Sequence, residues 1–164
     1  MLLLGFLGPT LFHPWPRLEL CSDGSSPTMA VRILIADDDA AIRRLLRRLI
    51  ESHENWTVCG DAQDGHDAIG KAAQLNPDVI VLDLAMPQMN GLQAAREISR
   101  TTPEVPMLLL TVQQVSRELT NEAVHAGFKG AISKSTGSEV VKAIEVLLRH
   151  QSFFQPARAD AFAW

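Results

Sequence analysis

Strand-like and helix-like segments alternate along the chain from Val31 onward, and this alternation limits the choice of fold more than any other feature of the sequence. The strand-like segments are short, apolar and rich in β-branched residues, which is typical of strands buried on both faces. Each is followed by a longer segment with helical periodicity. Because right-handed crossovers of this kind join parallel strands, the sequence predicts an α/β fold with a doubly wound parallel sheet. The predicted strands are VRILIA, TVCG, VIVLD, VPMLLLT and GAISK.

The first predicted helix shows how one face is expected to pack. Its apolar residues recur at helical spacing and define that face, which is formed by Ile42, Leu45, Leu46, Leu49 and Ile50. Four arginines fall away from it, namely Arg43, Arg44, Arg47 and Arg48. We expect these arginines to form a solvated surface, with a partner-docking surface as the alternative. In the fourth helix, Ser116 is the predicted N-cap and Gly127 the predicted C-terminal stop.

The composition fits one soluble globular domain. The chain has 164 residues, of which 46% are hydrophobic and 21% are charged, and its net charge is −4. This negative balance argues against direct nucleic-acid binding by the chain, because domains that bind nucleic acids are usually basic. The two cysteines show no metal-binding spacing, and Cys59 is expected in a buried strand. The predicted location is therefore a reducing cytoplasm.

Both ends of the chain differ from the alternating region. Residues 2–7 are apolar, but no Lys or Arg precedes them, prolines interrupt the run early, and it is too short to cross a membrane. We interpret residues 1–28 as a disordered N-terminal extension or the product of a start codon assigned too early, with no membrane association. The folded domain is predicted to span residues 29–151, and residues 152–164 are interpreted as a C-terminal tail or a truncated linker.

Polar residues stand where the predicted strands end. Asp37 and Asp38 follow the first strand, Asp83 ends the third, Thr111 ends the fourth and Lys134 ends the fifth. Ligands of such sheets bind at the carboxyl ends of the strands, so these side chains are expected to converge. Clustered carboxylates favour Mg²⁺, which takes oxygen ligands and often shares them with phosphate. A carboxylate beside a metal and an ammonium can act as a nucleophile and form an aspartyl phosphate.

Four segments, in order, resemble the receiver domain of two-component response regulators: ILIADDD, DVIVLDLAMPQMNG, MLLLT and GAISKS. The resemblance implies a flavodoxin-like (βα)5 fold with strand order 2-1-3-4-5. It also implies a signalling role in a phosphorelay. Such a domain is not an enzyme in the usual sense, although it assists its own phosphorylation and dephosphorylation.

The resemblance assigns roles residue by residue. Asp83 resembles the phosphoacceptor, and Thr111 and Lys134 resemble the residues that hold the phosphoryl group. The implied Mg²⁺ ligands are Asp38 directly, Asp37 through water, Asp83 and the backbone carbonyl of Ala85. The implied partner is a sensor histidine kinase or a phosphotransfer protein, and the resemblance also allows a homodimer.

The end of the predicted domain is more similar to receivers that precede a LuxR-type DNA-binding domain. The similarity lies in Ser135, directly after Lys134, and in the segment AIEVLLRHQSFF. The residues after that segment are too few to hold a helix-turn-helix, so the chain itself is not expected to bind DNA.

Two positions depart from the family pattern. Ala131 stands where receivers usually carry an aromatic residue that moves inward when Thr111 turns toward the phosphoryl group. Val112 is bulkier than the small residue usual after Thr111 and is expected to crowd access to Asp83. Phe128 is expected to pack rather than to replace the missing ring. These departures predict a weakened response and leave room for a pseudo-receiver, an interaction module that no kinase modifies. A Mg²⁺-dependent phosphatase fits less well, because the second acid that it requires would stand where Ala85 does.

Residues 1–28 should contribute little to stability, because their prolines and serines show no packing period. A protein that begins at Met29 should therefore melt within a few degrees of the full chain, as measured by thermal denaturation. A loss of more than about 1–2 kcal/mol would instead show that residues 2–7 pack on the core.

Overall fold

The structure is a computed structural model that describes residues 29–155. The predicted extension at residues 1–28, and residues 156–164 of the predicted tail, lie outside the described residues.

One parallel sheet forms the centre of the fold, with helices packed on both of its faces. Its strands are β1 (Val31–Ala36), β2 (Trp56–Ala62), β3 (Val79–Asp83), β4 (Met107–Thr111), β5 (Gly130–Ser133) and β6 (Phe153–Phe154). The helices are α1 (Ala40–Glu51), α2 (Gly65–Leu75), α3 (Gly91–Thr101), α4 (Arg117–Ala126) and α5 (Glu139–Leu148). The strand order is β2-β1-β3-β4-β5-β6, with every pairing parallel. This confirms the predicted doubly wound sheet and its 2-1-3-4-5 order.

The sixth strand, β6, was not predicted. It extends the sheet beyond β5 through two backbone hydrogen bonds, from Phe153 N to Lys129 O and from Gln155 N to Ala131 O, each 2.9 Å long. The strand lies beyond residue 151, where the sequence analysis ends the folded domain. A strand of two residues is too short to produce a periodic hydrophobic signal, which explains why the sequence did not reveal it.

Two hydrophobic clusters fill the space between the sheet and its helices. Residues of β3 and β4 are buried and contribute to both clusters, as expected for central strands covered on both faces. Ser116 Oγ accepts a hydrogen bond from Leu119 N at 3.1 Å, and Gly127 ends α4 with a left-handed φ of 100°. The predicted limits of the fourth helix are therefore confirmed.

Four of the five residues of the predicted apolar face of α1 pack on the core, with Ile42 and Leu49 partly buried there, and only Leu45 departs from the prediction. Leu46 and Ile50 are buried, whereas Leu45 is 61% exposed. At about 100° per residue, Leu45 lies about 140° around the helix from Ile50, while Arg43 lies within about 20° of it. Arg43 thus lies near the buried side of the helix, where it has an ionic partner on the sheet, described below.

A tight loop, residues 84–90, follows β3 and fixes the backbone of Asp83. Leu84 N donates to Leu110 O at 2.8 Å, and Gly91 N donates back to Leu84 O at 3.0 Å. A Cβ atom at Gly91 would overlap the carbonyl oxygen of Asp83. Only glycine therefore allows α3 to begin so close to the end of β3.

Two glycine substitutions should have opposite effects on stability. Gly91→Ala should lower the free energy of unfolding by about 1–3 kcal/mol, because the new methyl group must displace the backbone of Asp83. Gly70→Ala is the matched control, since Gly70 lies inside α2 and a Cβ atom there meets nothing within 4 Å. It should raise the free energy of unfolding by about 0.5–1 kcal/mol through helix propensity. Urea denaturation measures both values, and a neutral Gly91→Ala would contradict the close approach.

Candidate functional site

Three carboxylates meet at the carboxyl edge of the sheet. Asp37 follows β1 and Asp83 ends β3; these two strands are direct neighbours, so their ends lie side by side. Asp37 and Asp83 are buried, whereas the adjacent Asp38 is exposed. One carboxylate oxygen from each of the three lies within 4.8 Å of the others. The structure therefore brings together the three acids that the sequence selected.

Lys134 links these acids to the far side of the sheet. It begins the 3₁₀ turn Lys134–Thr136 directly after β5, and its side chain reaches past β4 to β3 and β1. Its Nζ atom lies 2.6 Å from Asp37 Oδ2 and 3.0 Å from Asp83 Oδ1. One ammonium thus bridges the two buried carboxylates. Three carboxylates against one ammonium leave an excess of negative charge at the edge.

Burial and charge act in opposite directions on Asp83. Burial raises the pKa of the Asp83 carboxyl group, and the neighbouring Asp37 and Asp38 carboxylates add to the rise. The hydrogen bond and the positive charge of Lys134 lower it, but the net pKa remains above the usual value. For Lys134, burial lowers the pKa, and the bonds to Asp37 and Asp83 outweigh this effect and raise it overall. Lys134 therefore stays cationic beside a carboxylate that is unusually basic.

The remaining predicted residues surround this centre. Thr111 is buried at the end of β4, where it pairs in register with Ser133, and its Oγ1 accepts a hydrogen bond from Gln113 N at 3.1 Å. Ala85 is exposed in the loop two residues after Asp83. Val112 is 74% exposed, so its side chain lies mostly in solvent. Its predicted crowding of Asp83 stays a prediction.

Arg43 binds the backbone at Asp37, and both Arg43 and Arg47 pair with Asp61, contacts that the sequence did not predict. Arg43 Nη1 donates to Asp37 O at 2.6 Å, and Arg43 Nε pairs with Asp61 Oδ2 at 3.1 Å. Arg47 Nη2 pairs with the other oxygen, Asp61 Oδ1, at 3.0 Å. The side chain of Arg43 is only 17% exposed, so the predicted solvated surface is wrong for this residue. The sequence feature that could have revealed this pairing is Asp61, an acid near the end of the second predicted strand and thus at the same edge of the sheet.

The three acids form an oxygen-donor set that suits a hard cation. Carboxylate oxygens are the ligands that Mg²⁺ prefers, and the exposed Asp38 leaves one side of the cluster open to the waters that Mg²⁺ retains. A divalent cation would also offset the excess negative charge. The residues at this edge therefore fit a Mg²⁺ site.

Among the helices of residues 29–155, none combines the length and apolar character that a membrane-spanning segment requires.

Comparisons with known proteins agree with this geometry. Residues 33–145 match the family described as response regulator receiver domain. The uncharacterized transcriptional regulatory protein YxjL of Bacillus subtilis is 35% identical over 130 residues, which cover 79% of this chain and 59% of that protein. The protein-glutamate methylesterase/protein-glutamine glutaminase of Thermotoga maritima is 35% identical over 108 residues, covering 66% of this chain and 31% of that enzyme. The chain thus spans less than two thirds of the length of either relative.

A solved structure shows the same arrangement of elements. The LuxR-family two-component response regulator from Aurantimonas sp. SI85-9A1 superposes with a TM-score of 0.74 at 31% sequence identity. The match covers 77% of this chain and 91% of that chain.

Substitution of Asp83 should stabilise the protein when no metal is bound. Because the pKa of Asp83 is raised in the folded state, its ionised form disfavours folding at every pH above its pKa in the unfolded chain. Asp83→Asn removes the charge and keeps an oxygen acceptor for Lys134. At pH 7 in chelator, the variant should melt a few degrees above the wild type, and the difference should shrink as the pH falls toward about 4.

Addition of Mg²⁺ in the same thermal melts should stabilise the wild type more than the variant. Glu104→Gln is the control, because Glu104 is an exposed acid just before β4, at the opposite end of the sheet. Glu104→Gln should melt like the wild type in chelator, and Mg²⁺ should stabilise the two proteins equally. A metal-free Asp83→Asn protein that melts below the wild type at pH 7 would contradict the inferred cost of the buried charge.

Proposed function

The chain belongs to the response regulator receiver domain family, and we propose that it accepts a phosphoryl group on Asp83 in a Mg²⁺-dependent reaction. The proposed donor is a phosphohistidine on a sensor histidine kinase or a phosphotransfer protein. The observation that carries the proposal is the Lys134 ammonium, which contacts both Asp37 and Asp83 where three acids converge. A simple structural ion pair would not need two further acids at the same edge.

The proposed direct Mg²⁺ ligands are the carboxylates of Asp38 and Asp83 and the backbone carbonyl of Ala85, and Asp37 is proposed to act through water. Their oxygen chemistry supports this assignment, as does the exposure of Asp38 and of Ala85. When bound, the cation supplies positive charge to the oxygens of the transferring phosphoryl group.

The rest of the chemistry of phosphoryl transfer comes from the side chains of Asp83, Lys134 and Thr111. An Asp83 oxygen attacks phosphorus, the new P–O bond forms as the P–N bond of the donor breaks, and the electron pair leaves with the imidazole nitrogen. The raised pKa makes the Asp83 carboxylate a more basic nucleophile. Lys134 stays charged and can pair with one phosphoryl oxygen, and the Thr111 hydroxyl can donate to another.

The output is proposed to be a change in partner binding rather than catalytic turnover. Receiver domains of response regulators are signalling modules, and the methylesterase of Thermotoga maritima is matched over only 31% of its length. The full set of three acids with Lys134 and Thr111 argues against an interaction module that no kinase modifies. We propose a cytoplasmic location, where the chain would meet its phosphodonor.

The test is incubation of the purified chain with acetyl phosphate and Mg²⁺, followed by intact-mass measurement. The wild type should gain the mass of one phosphoryl group, and the gain should disappear with chelator. Asp83→Asn should show no gain, because it lacks the attacking carboxylate. Asp38→Asn should require more Mg²⁺ for the same labelling, because one proposed ligand loses its charge.

Asp39→Asn provides a matched control within the same run of acids. Asp39 is the N-cap of α1, where its side chain accepts a hydrogen bond from Ala41 N at 2.7 Å, and Asn caps helices about equally well. This variant should label like the wild type. Full labelling of Asp83→Asn would overturn the site assignment.

A further inference from the structure

Strand β6 pairs with β5, the strand that leads directly into Lys134. Phe153 N donates to Lys129 O, just before β5, and Gln155 N donates to Ala131 O within β5, so the two bonds flank Gly130. Lys134 follows β5 after Ser133. The backbone that positions the ammonium of the site is therefore also the backbone on which β6 docks.

Phe154 lies beside Ala131 on the same face of the sheet. The two residues pair in register, and the partly buried Phe154 side chain packs against the hydrophobic cluster that contains Ala131 and the fully buried Phe128. An aromatic ring of the neighbouring strand thus lies beside position 131, which has none of its own. Phe128 packs in the core, as the sequence analysis expected.

Gln155 holds the end of β5 with its side chain. Its Oε1 accepts a hydrogen bond from Ser133 N at 3.0 Å and lies 3.4 Å from Thr136 Oγ1, whose hydroxyl donates to Ser133 O at 2.8 Å. Ser133 pairs with Thr111 on one side and precedes Lys134 in the chain. One amide therefore contacts both ends of the short turn that carries Lys134.

We propose that β6 is a coupling strand, whose docking on β5 is strengthened when Asp83 carries a phosphoryl group. This inference rests on the proposed function. A phosphoryl group adds negative charge and acceptor oxygens next to Lys134, which now divides its contacts between Asp37 and Asp83. Fixing Lys134 orders the turn to which Gln155 binds, so β6 docks with a smaller loss of entropy.

The size of β6 makes such a response feasible. A two-residue edge strand belongs to the least stable part of a fold, because it has few backbone bonds and only partly buried side chains. A small differential interaction is then enough to shift its docking equilibrium. Because coupling is reciprocal, a variant whose β6 does not dock must bind a phosphoryl analogue more weakly, by at most the factor by which the analogue strengthens docking.

The experiment uses the full chain with Mg²⁺ and beryllofluoride. Fluorine NMR measures bound analogue, and amide hydrogen exchange by NMR measures the protection of Phe153 and Gln155. Saturation should slow exchange of both amides in the wild type by roughly fivefold. Gln155→Ala removes the side-chain bonds to the turn, so it should lose most of this slowing and bind the analogue correspondingly more weakly.

Gln151→Ala is the matched control, because Gln151 is exposed just before β6. It should behave like the wild type. Phe154→Ala is a second variant, which should also lose the slowing. Bound analogue with unchanged exchange at Phe153 and Gln155, or a Gln155→Ala protein that responds like Gln151→Ala, would overturn the coupling. Failure of the wild type to bind beryllofluoride at all would overturn the proposed function itself.

Discussion

The contact of the Lys134 ammonium with two buried carboxylates is the interaction on which the site depends. Buried carboxylates are costly without a partner, and Asp37 and Asp83 share this one. The contact is possible only because β1, β3 and β5 run parallel and end at the same edge. The Lys134 side chain therefore connects the charge at Asp83 to the backbone at the end of β5.

The topology explains why the sequence located most of the site. Once the alternating pattern predicts parallel strands, every residue at a strand end is assigned to one edge, whatever its distance along the chain. Asp83 and Lys134 are far apart in sequence and lie 3.0 Å apart at their charged atoms. The two ends of α4 were also predictable from the sequence, because a serine cap and a left-handed glycine each affect only the adjacent turn of the helix.

The features that the sequence did not reveal arise from tertiary contacts with weak local signals. The hydrophobic spacing of α1 allowed a range of rotations, and in the one observed Arg43 and Arg47 pair with Asp61 while Leu45 is exposed. Side-chain periodicity cannot choose among these rotations, because the ionic partner lies on another element. Strand β6 was missed for a different reason, since two residues show no period and only the edge of β5 makes them a strand.

Ala131 illustrates the same limit for function. Taken along the chain, a small residue at this position suggests that the site has lost its link to the surrounding surface. Across the sheet, Phe154 occupies the neighbouring register position and packs on the same cluster. In the proposed coupling, the volume and the polar anchor that respond to Lys134 are divided among Ala131, Phe154 and Gln155 rather than held by one side chain. The link between site and surface in this proposal therefore depends on the adjacent strand as well as on position 131 in β5.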